Sequence, residues 1–173
     1  MWLKIIGSIL VLITSSYIGF KMAASCQERP RHLRQIISCI ASMRSYILYA
    51  RVPLHEAVAQ STNGIYGPVA TFFQKIAAML EKQTILTPQE VISKVLHEMQ
   101  GSLMLKTPEI EVLHVLGGNL GHMNCTEQEK YLLLVIEQLE RFENEATRLR
   151  DLNTKMYRYL GVCGGMAIVI ILV

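Results

Sequence analysis

Apolar residues fill both ends of this 173-residue chain and recur at helical spacing between them. Trp2 to Phe20 is an almost unbroken apolar run of nineteen residues, and Leu160 to Val173 is a shorter one of fourteen. As a helix the first run is roughly 28 Å long, close to the roughly 30 Å of a bilayer's hydrocarbon core. The second gains a turn if it starts at Met156, and Tyr157, Arg158 and Tyr159 then form an interfacial collar. The pattern therefore predicts transmembrane helices at 2–20 and 156–173. Between them lies a polar region, 21–158, which carries every formal side-chain charge except Lys4.

Within that region the periodicity is helical nearly throughout. After the basic stretch Glu28 to Gln35, the positions Leu33, Ile36, Ile37, Ile40, Met43, Ile47 and Ala50 make one apolar stripe. Pro30 is expected to bend the chain before this long helix. Pro53 begins a short helix with Leu54, Ala57 and Val58, and Asn63-Gly64 and Gly67-Pro68 punctuate the loop after it. A third helix is predicted from Pro68 to about Lys82, with Val69, Phe72, Phe73, Ile76 and Leu80 inward. Thr87-Pro88-Gln89-Glu90 combines an N-cap, a first-turn proline and a capping-box glutamate, leading into Val91, Ile92, Val95, Leu96 and Met99.

Thr107-Pro108 marks another start, with Glu109 and Glu111 where negative charge favours the helix dipole. Gly117, Gly118 and Gly121 then predict a tight helix-loop-helix corner. Thr126 and Glu129 repeat the capping-box signature, and from Leu132 a seven-residue repeat begins. One set is Leu132, Leu139, Ala146, Asn153 and Leu160; the other is Val135, Phe142, Leu149 and Met156. Two readings fit: a coiled-coil seam with Asn153 setting register, or a long edge helix closing the core. A continuous helix from Thr126 to Leu160 exceeds roughly 50 Å and would run straight into the second apolar segment. The expected fold class is all-α: a compact helical cytoplasmic domain, a bundle of about six helices, flanked by N- and C-terminal transmembrane helices.

Charge supplies the topology. Lys21, Arg29, Arg31 and Arg34 follow the first apolar segment, and Arg148, Arg150, Lys155 and Arg158 precede the second. Basic flanks stay inside, so both ends place the middle domain in the cytoplasm. A cleaved signal peptide is the alternative, since Ala23, Ala24 and Ser25 before Cys26 resemble a processing site or a lipobox. Lys21, an alanine where a lipobox has leucine, and the basic cluster downstream count against it. About 138 residues between the segments suffice for one cored domain. Cys26, Cys39, Cys125 and Cys163 form no CxxC pair, so reduced thiols are expected rather than zinc or disulfides.

Catalytic chemistry finds little footing. His32, His55, His97, His114 and His122 are scattered and fit no HExxH motif. Glu111 and His114 have half of a helical metal site's i, i+3 spacing, but a di-iron bundle needs that twice with two more glutamates. LGGNLG lacks the GxxxxGK[ST] arrangement of a phosphate loop and the preceding strand of a dinucleotide fold. No nucleophile-activating combination is visible. No catalytic residue, cofactor or metal is therefore expected. The net charge of +3 is modest, and no nucleic-acid partner is expected.

Charge is nevertheless unevenly spread. Residues 21 to 51 hold six basic side chains against Glu28, whereas eight glutamates against Lys130 and Arg141 leave residues 109 to 145 at −6. The first stretch suits anionic lipid or an acidic partner, with Arg29, Arg31 and Arg34 as candidate contacts. The second suits a basic partner, with Glu109, Glu111, Glu137 and Glu140 as candidates, a solvated helix face being the alternative. Ser15 with Gly19, and Gly161 with Gly165, are small-xxx-small pairs that permit close helix packing, including homo-oligomerisation.

Several local patterns resemble one family in order and spacing. They are LKxxG at Leu3 to Gly7, Glu28-Arg29-Pro30-Arg31 with Leu33-Arg34-Gln35, Pro53-Leu54, Glu109 to Leu120 with Gly121, Gln128, and the small-residue tail from Gly161. Together they resemble the stage III sporulation protein AB family of endospore-forming bacteria, with Asn124 departing from an expected Asp. The resemblance implies a component of a transenvelope channel between mother cell and forespore, sited in the mother-cell membrane. It also implies a soluble region similar to the cytoplasmic domains of type II secretion and type IV pilus platform proteins, here in one copy. Such domains are thought to couple a secretion-type ATPase to an envelope assembly. The expected partners are that ATPase and other stage III channel proteins, and the expected role is non-enzymatic. A generic membrane adaptor or an undetected membrane-associated enzyme are the alternatives.

Overall fold

Residues 27–82, 86–120 and 125–172 are described by the structure, a computed structural model, with side chains in the last stretch for 126–154, Met156 and Tyr159. Among them are six α-helices and no strand: α1 (Glu28–Ser45), α2 (Leu54–Gln60), α3 (Pro68–Lys82), α4 (Pro88–Glu98), α5 (Thr107–Asn119) and α6 (Cys125–Leu172). One isolated bridge, Gln100 with Leu103, closes the turn after α4. The described residues divide into two compact units, one within 31–144 and one made of 27–30 with 145–172.

The larger unit is built on the apolar stripes that the periodicity picks out. Leu33, Ile36, Ile40 and Met43 of α1 are buried, but the stripe stops there because Tyr46–Ala50 widens into a π-helical turn. Ala50 is exposed, and Arg51 leaves the helix in a left-handed conformation at φ 51°. Pro30 does not bend the chain ahead of α1. It is buried in the first turn, where its missing N–H has no helical partner to lose. Successive helices then pack on one another, α2 on α3, α3 on α4 and α4 on α5. Met43, Val58, Phe72, Ile76, Ile92, Leu113 and Leu116 converge around a void of only about 20 Å³, so five helices share one filled core.

The start of α4 is sealed as its sequence requires, whereas α6 already begins at Cys125, ahead of the expected N-cap Thr126. Thr87 and Glu90 form the full capping box at α4: the Glu90 backbone N–H donates to Thr87 Oγ1 at 3.3 Å, and the Thr87 backbone N–H donates to Glu90 Oε2 at 2.8 Å. His32, buried in α1, accepts from the Met104 backbone N–H at Nδ1 (3.2 Å) and pins the α4–α5 loop to the first helix. That tie joins residues 72 apart in sequence.

In the smaller unit, α6 continues without a break to Leu172. Ala146 is buried, whereas Leu149, Leu152, Met156 and Tyr159 are exposed. Among the described residues no helix is long and apolar enough to cross a membrane. The expected span 2–20, with Ser15 and Gly19, lies outside the described residues. The expected span 156–173 has its backbone in α6 to Leu172, but Gly161 and Gly165 fall outside the described side chains.

Candidate docking face on helices α5 and α6

The start of α5 is secured by Glu109. Its Oε2 accepts from the Lys106 backbone N–H at 2.6 Å, while its own N–H donates to Lys106 O at 3.0 Å. Glu109 is only 1% exposed. It therefore caps its own helix from inside and leaves the acidic surface expected of it.

Beyond that turn α5 has two unlike sides. Val112, Leu113 and Leu116 are buried, and Gly117 lies in the same inner face. A Cβ on Gly117 would stand 2.8 Å from Gln89 Cα, so this glycine exists to let α4 approach. Gly117 and Gly118 are thus helical residues rather than the expected corner; Gly121 lies outside the described residues. The other side of α5 exposes Ile110, Glu111, His114 and Val115.

The first half of α6 is divided in the same way. Leu132, Val135 and Leu139 are buried, the spacing of an edge helix closing its unit's core. Leu133, Leu134, Glu137, Gln138 and Arg141 face outward. An open groove of about 660 Å³ lies between α5 and α6, lined by Pro108, Glu111, Val112 and Val115 on one wall and Tyr131, Leu134, Val135, Glu137, Gln138, Arg141 and Phe142 on the other. Val115 is 48% and Leu134 62% exposed, large values for apolar side chains that stand together.

Carboxylates border this apolar floor. Glu111 is exposed at the α5 rim; Glu137 carries an ion pair to Arg141 at 2.7 Å on the α6 rim. Glu140 is exposed but lies outside the groove. Glu143 is turned inward, 14% exposed, and holds the guanidinium of Arg34. The acidic field of residues 109–145 is therefore weaker at the surface than its formal charge, because Glu109 is buried and Glu137 and Glu143 are paired. Arg34 correspondingly serves the fold, while Arg31 is exposed and Arg29 half-buried, each already interacting with a neighbouring group.

Covalent chemistry finds no constellation here. Among the described residues no three His, Cys, Asp or Glu side chains come together as a metal site. Glu111 and His114 do not act jointly, since Glu111 lines the groove whereas His114 Nδ1 lies 3.3 Å from Gln89 Nε2 of α4. Cys39 is buried, and burial pushes its thiol up to about 12 against the opposing hydrogen bond from Ser61. It is a poor nucleophile. What the face offers is non-covalent recognition: an apolar trough with an anionic rim.

Sequence patterning missed this groove but carried its trace. Leu132-Leu133-Leu134-Val135 holds more apolar residues than a single buried stripe accommodates, and the surplus, Leu133 and Leu134, is what reaches the surface.

Comparison with known proteins places the chain. The profile of the family described as stage III sporulation protein AB matches residues 4–173. Stage III sporulation protein AB of Bacillus subtilis (strain 168) is 31% identical over 170 residues, which cover 98% of this chain and 99% of that protein. A solved structure of stage III sporulation protein AB (SpoIIIAB) is similar at a TM-score of 0.66 and 30% identity, covering 72% of this chain and 98% of the other. With a match that runs from Lys4 to the last residue, this chain belongs to the stage III sporulation protein AB family.

Proposed function

We propose that this chain is a non-enzymatic membrane component of the sporulation channel between mother cell and forespore, and that it docks a secretion-type ATPase to that assembly. The observation that carries the docking role is the α5–α6 face, where exposed Val115 and Leu134 stand beside Glu111 and Glu137. Apolar contact supplies affinity, and the carboxylates of Glu111, Glu137 and Glu140 steer a basic partner surface and restrict its orientation. In this proposal the domain resembles one cytoplasmic copy of the secretion platform proteins.

The remaining parts follow the same proposal. Segments 2–20 and 156–173 cross the mother-cell membrane that faces the forespore, leaving the helical domain in the cytoplasm. Arg29 and Arg31 sit near the first exit and meet anionic headgroups. Ser15, Gly19, Gly161 and Gly165 pack the spans against each other, against a second copy, or against other stage III proteins.

Crosslinking the full chain in membranes of sporulating cells, followed by purification, tests the role. The secretion-type ATPase is expected among the products, with yield falling as salt rises and falling again for Glu111→Lys with Glu140→Lys. Recovery of no sporulation secretion component under conditions that keep the assembly intact refutes docking. Salt-independent recovery unaffected by the charge reversals refutes the acidic mechanism alone.

A further inference from the structure

We infer that the α5–α6 groove seats a single amphipathic helix of the partner, apolar on the side it lays down and carrying a lysine or arginine opposite Glu111. This rests on the docking proposal and assigns the chemistry of what docks. A trough between two helices is the shape that an α-helix fills, with anchors at i, i+3 or i+4, and i+7. The α6 wall runs from Tyr131 to Phe142, about 18 Å of helix and the length of roughly three turns, and Pro108 to Val115 of α5 faces part of it. Val115 on one wall and Leu134 on the other, both exposed, are the anchor contacts.

Charge selects the occupant. Arg141 is already engaged by Glu137 at 2.7 Å, so the cation within the groove is answered from the same wall. Glu111 on the opposite wall faces the groove with its carboxylate exposed. A lysine or arginine on the seated helix completes the rim, whereas an acidic helix or an anionic lipid surface meets Glu111 and Glu137 and is repelled.

The test uses the full chain in nanodiscs of neutral lipid and the purified ATPase of the same sporulation system, with affinity measured at low and physiological salt. Val115→Asp and Glu111→Lys are expected to weaken binding about tenfold or more, as central contacts of an interface do. Glu81→Lys makes the same charge change at an exposed position of α3 and is expected to leave affinity within about twofold. Thermal melts confirm that each variant is folded. A photoreactive crosslinker on Gln138→Cys is expected to capture a helical ATPase segment with apolar residues at helical spacing and a basic residue among them.

Wild-type affinity in both groove variants overturns the groove while leaving docking in place. A loss with Glu140→Lys larger than those of Val115→Asp and Glu111→Lys moves the contact to the far flank of α6 and also overturns it. A crosslinked strand or acidic segment overturns the occupant's chemistry. Failure of the wild-type chain to bind the ATPase at all removes the docking proposal itself, and the assigned occupant falls with it.

Discussion

An alanine at Gly117 puts a Cβ 2.8 Å from Gln89 Cα, 3.0 Å from Ile92 Cδ1 and 3.2 Å from Gln89 N. Carbon atoms rest at roughly 3.5–4.0 Å, so α4 must retreat by about 0.7 Å or more. The crowded atoms are mainly backbone and cannot swing aside. Overpacking of this kind costs about 1–3 kcal/mol, with backbone displacement in the upper part of that range. Alanine returns about 1 kcal/mol through helix propensity, because Gly117 is helical. The net expectation is a loss of about 1–2 kcal/mol.

Gly118 is the internal control. Its added Cβ meets only the end of the Gln89 side chain, Oε1 at 3.2 Å and Cδ at 3.4 Å, which rotates away. Gly118→Ala should therefore stabilise by about 0.5–1 kcal/mol. Thermal unfolding of the full chain in detergent, followed by helical circular dichroism, should separate the two variants in opposite directions from wild type. At about 2–4 °C per kcal/mol for a chain of this size, the gap between them is several degrees. Equal melting temperatures, or a more stable Gly117→Ala, would falsify the close-approach account of this glycine.

Two further expectations concern buried or paired groups. Arg34→Glu sets a carboxylate beside Glu143 and should cost about 1 kcal/mol, with the Arg34→Glu, Glu143→Arg exchange restoring most of it; strictly additive effects in the double-mutant cycle would show that the pair is not coupled. Cys39 keeps its proton in the fold up to about pH 12, whereas the unfolded chain loses it near 9.0, so the stability from this thiol is fully present below pH 9 and declines from there towards pH 12. The loss of melting temperature with pH above 9 should be shallower in Cys39→Ala, and an unchanged slope contradicts the assignment.

The helices themselves were legible in the residues because their signals are local. Thr87-Pro88-Gln89-Glu90 announces α4 within one turn, and the hydrogen bonds of a capping box need no other part of the chain. The stripes Leu33, Ile36, Ile40, Met43 and Leu132, Val135, Leu139 likewise name their buried faces by period alone. Family membership was legible for a related reason: weak motifs become specific when order and spacing agree over nearly the whole length.

What period and composition leave open is which neighbour a face meets. Glycines end helices and also let helices touch, and only the presence of Gln89 against Gly117 decides between the two. A glutamate in a first turn looks solvated until the fold buries it, as it does Glu109. Formal charge over 109–145 does not say that Arg34, 109 residues from Glu143, has taken one carboxylate out of the surface. The groove belongs to the same class, since Leu134 and Val115 are merely surplus apolar residues until α5 and α6 stand side by side. Backbone hydrogen bonds and side-chain periodicity act within a few residues, so sequence determines them. Close approach, ion pairing and concave surface are properties of two segments at once, so they came into being only with the tertiary structure.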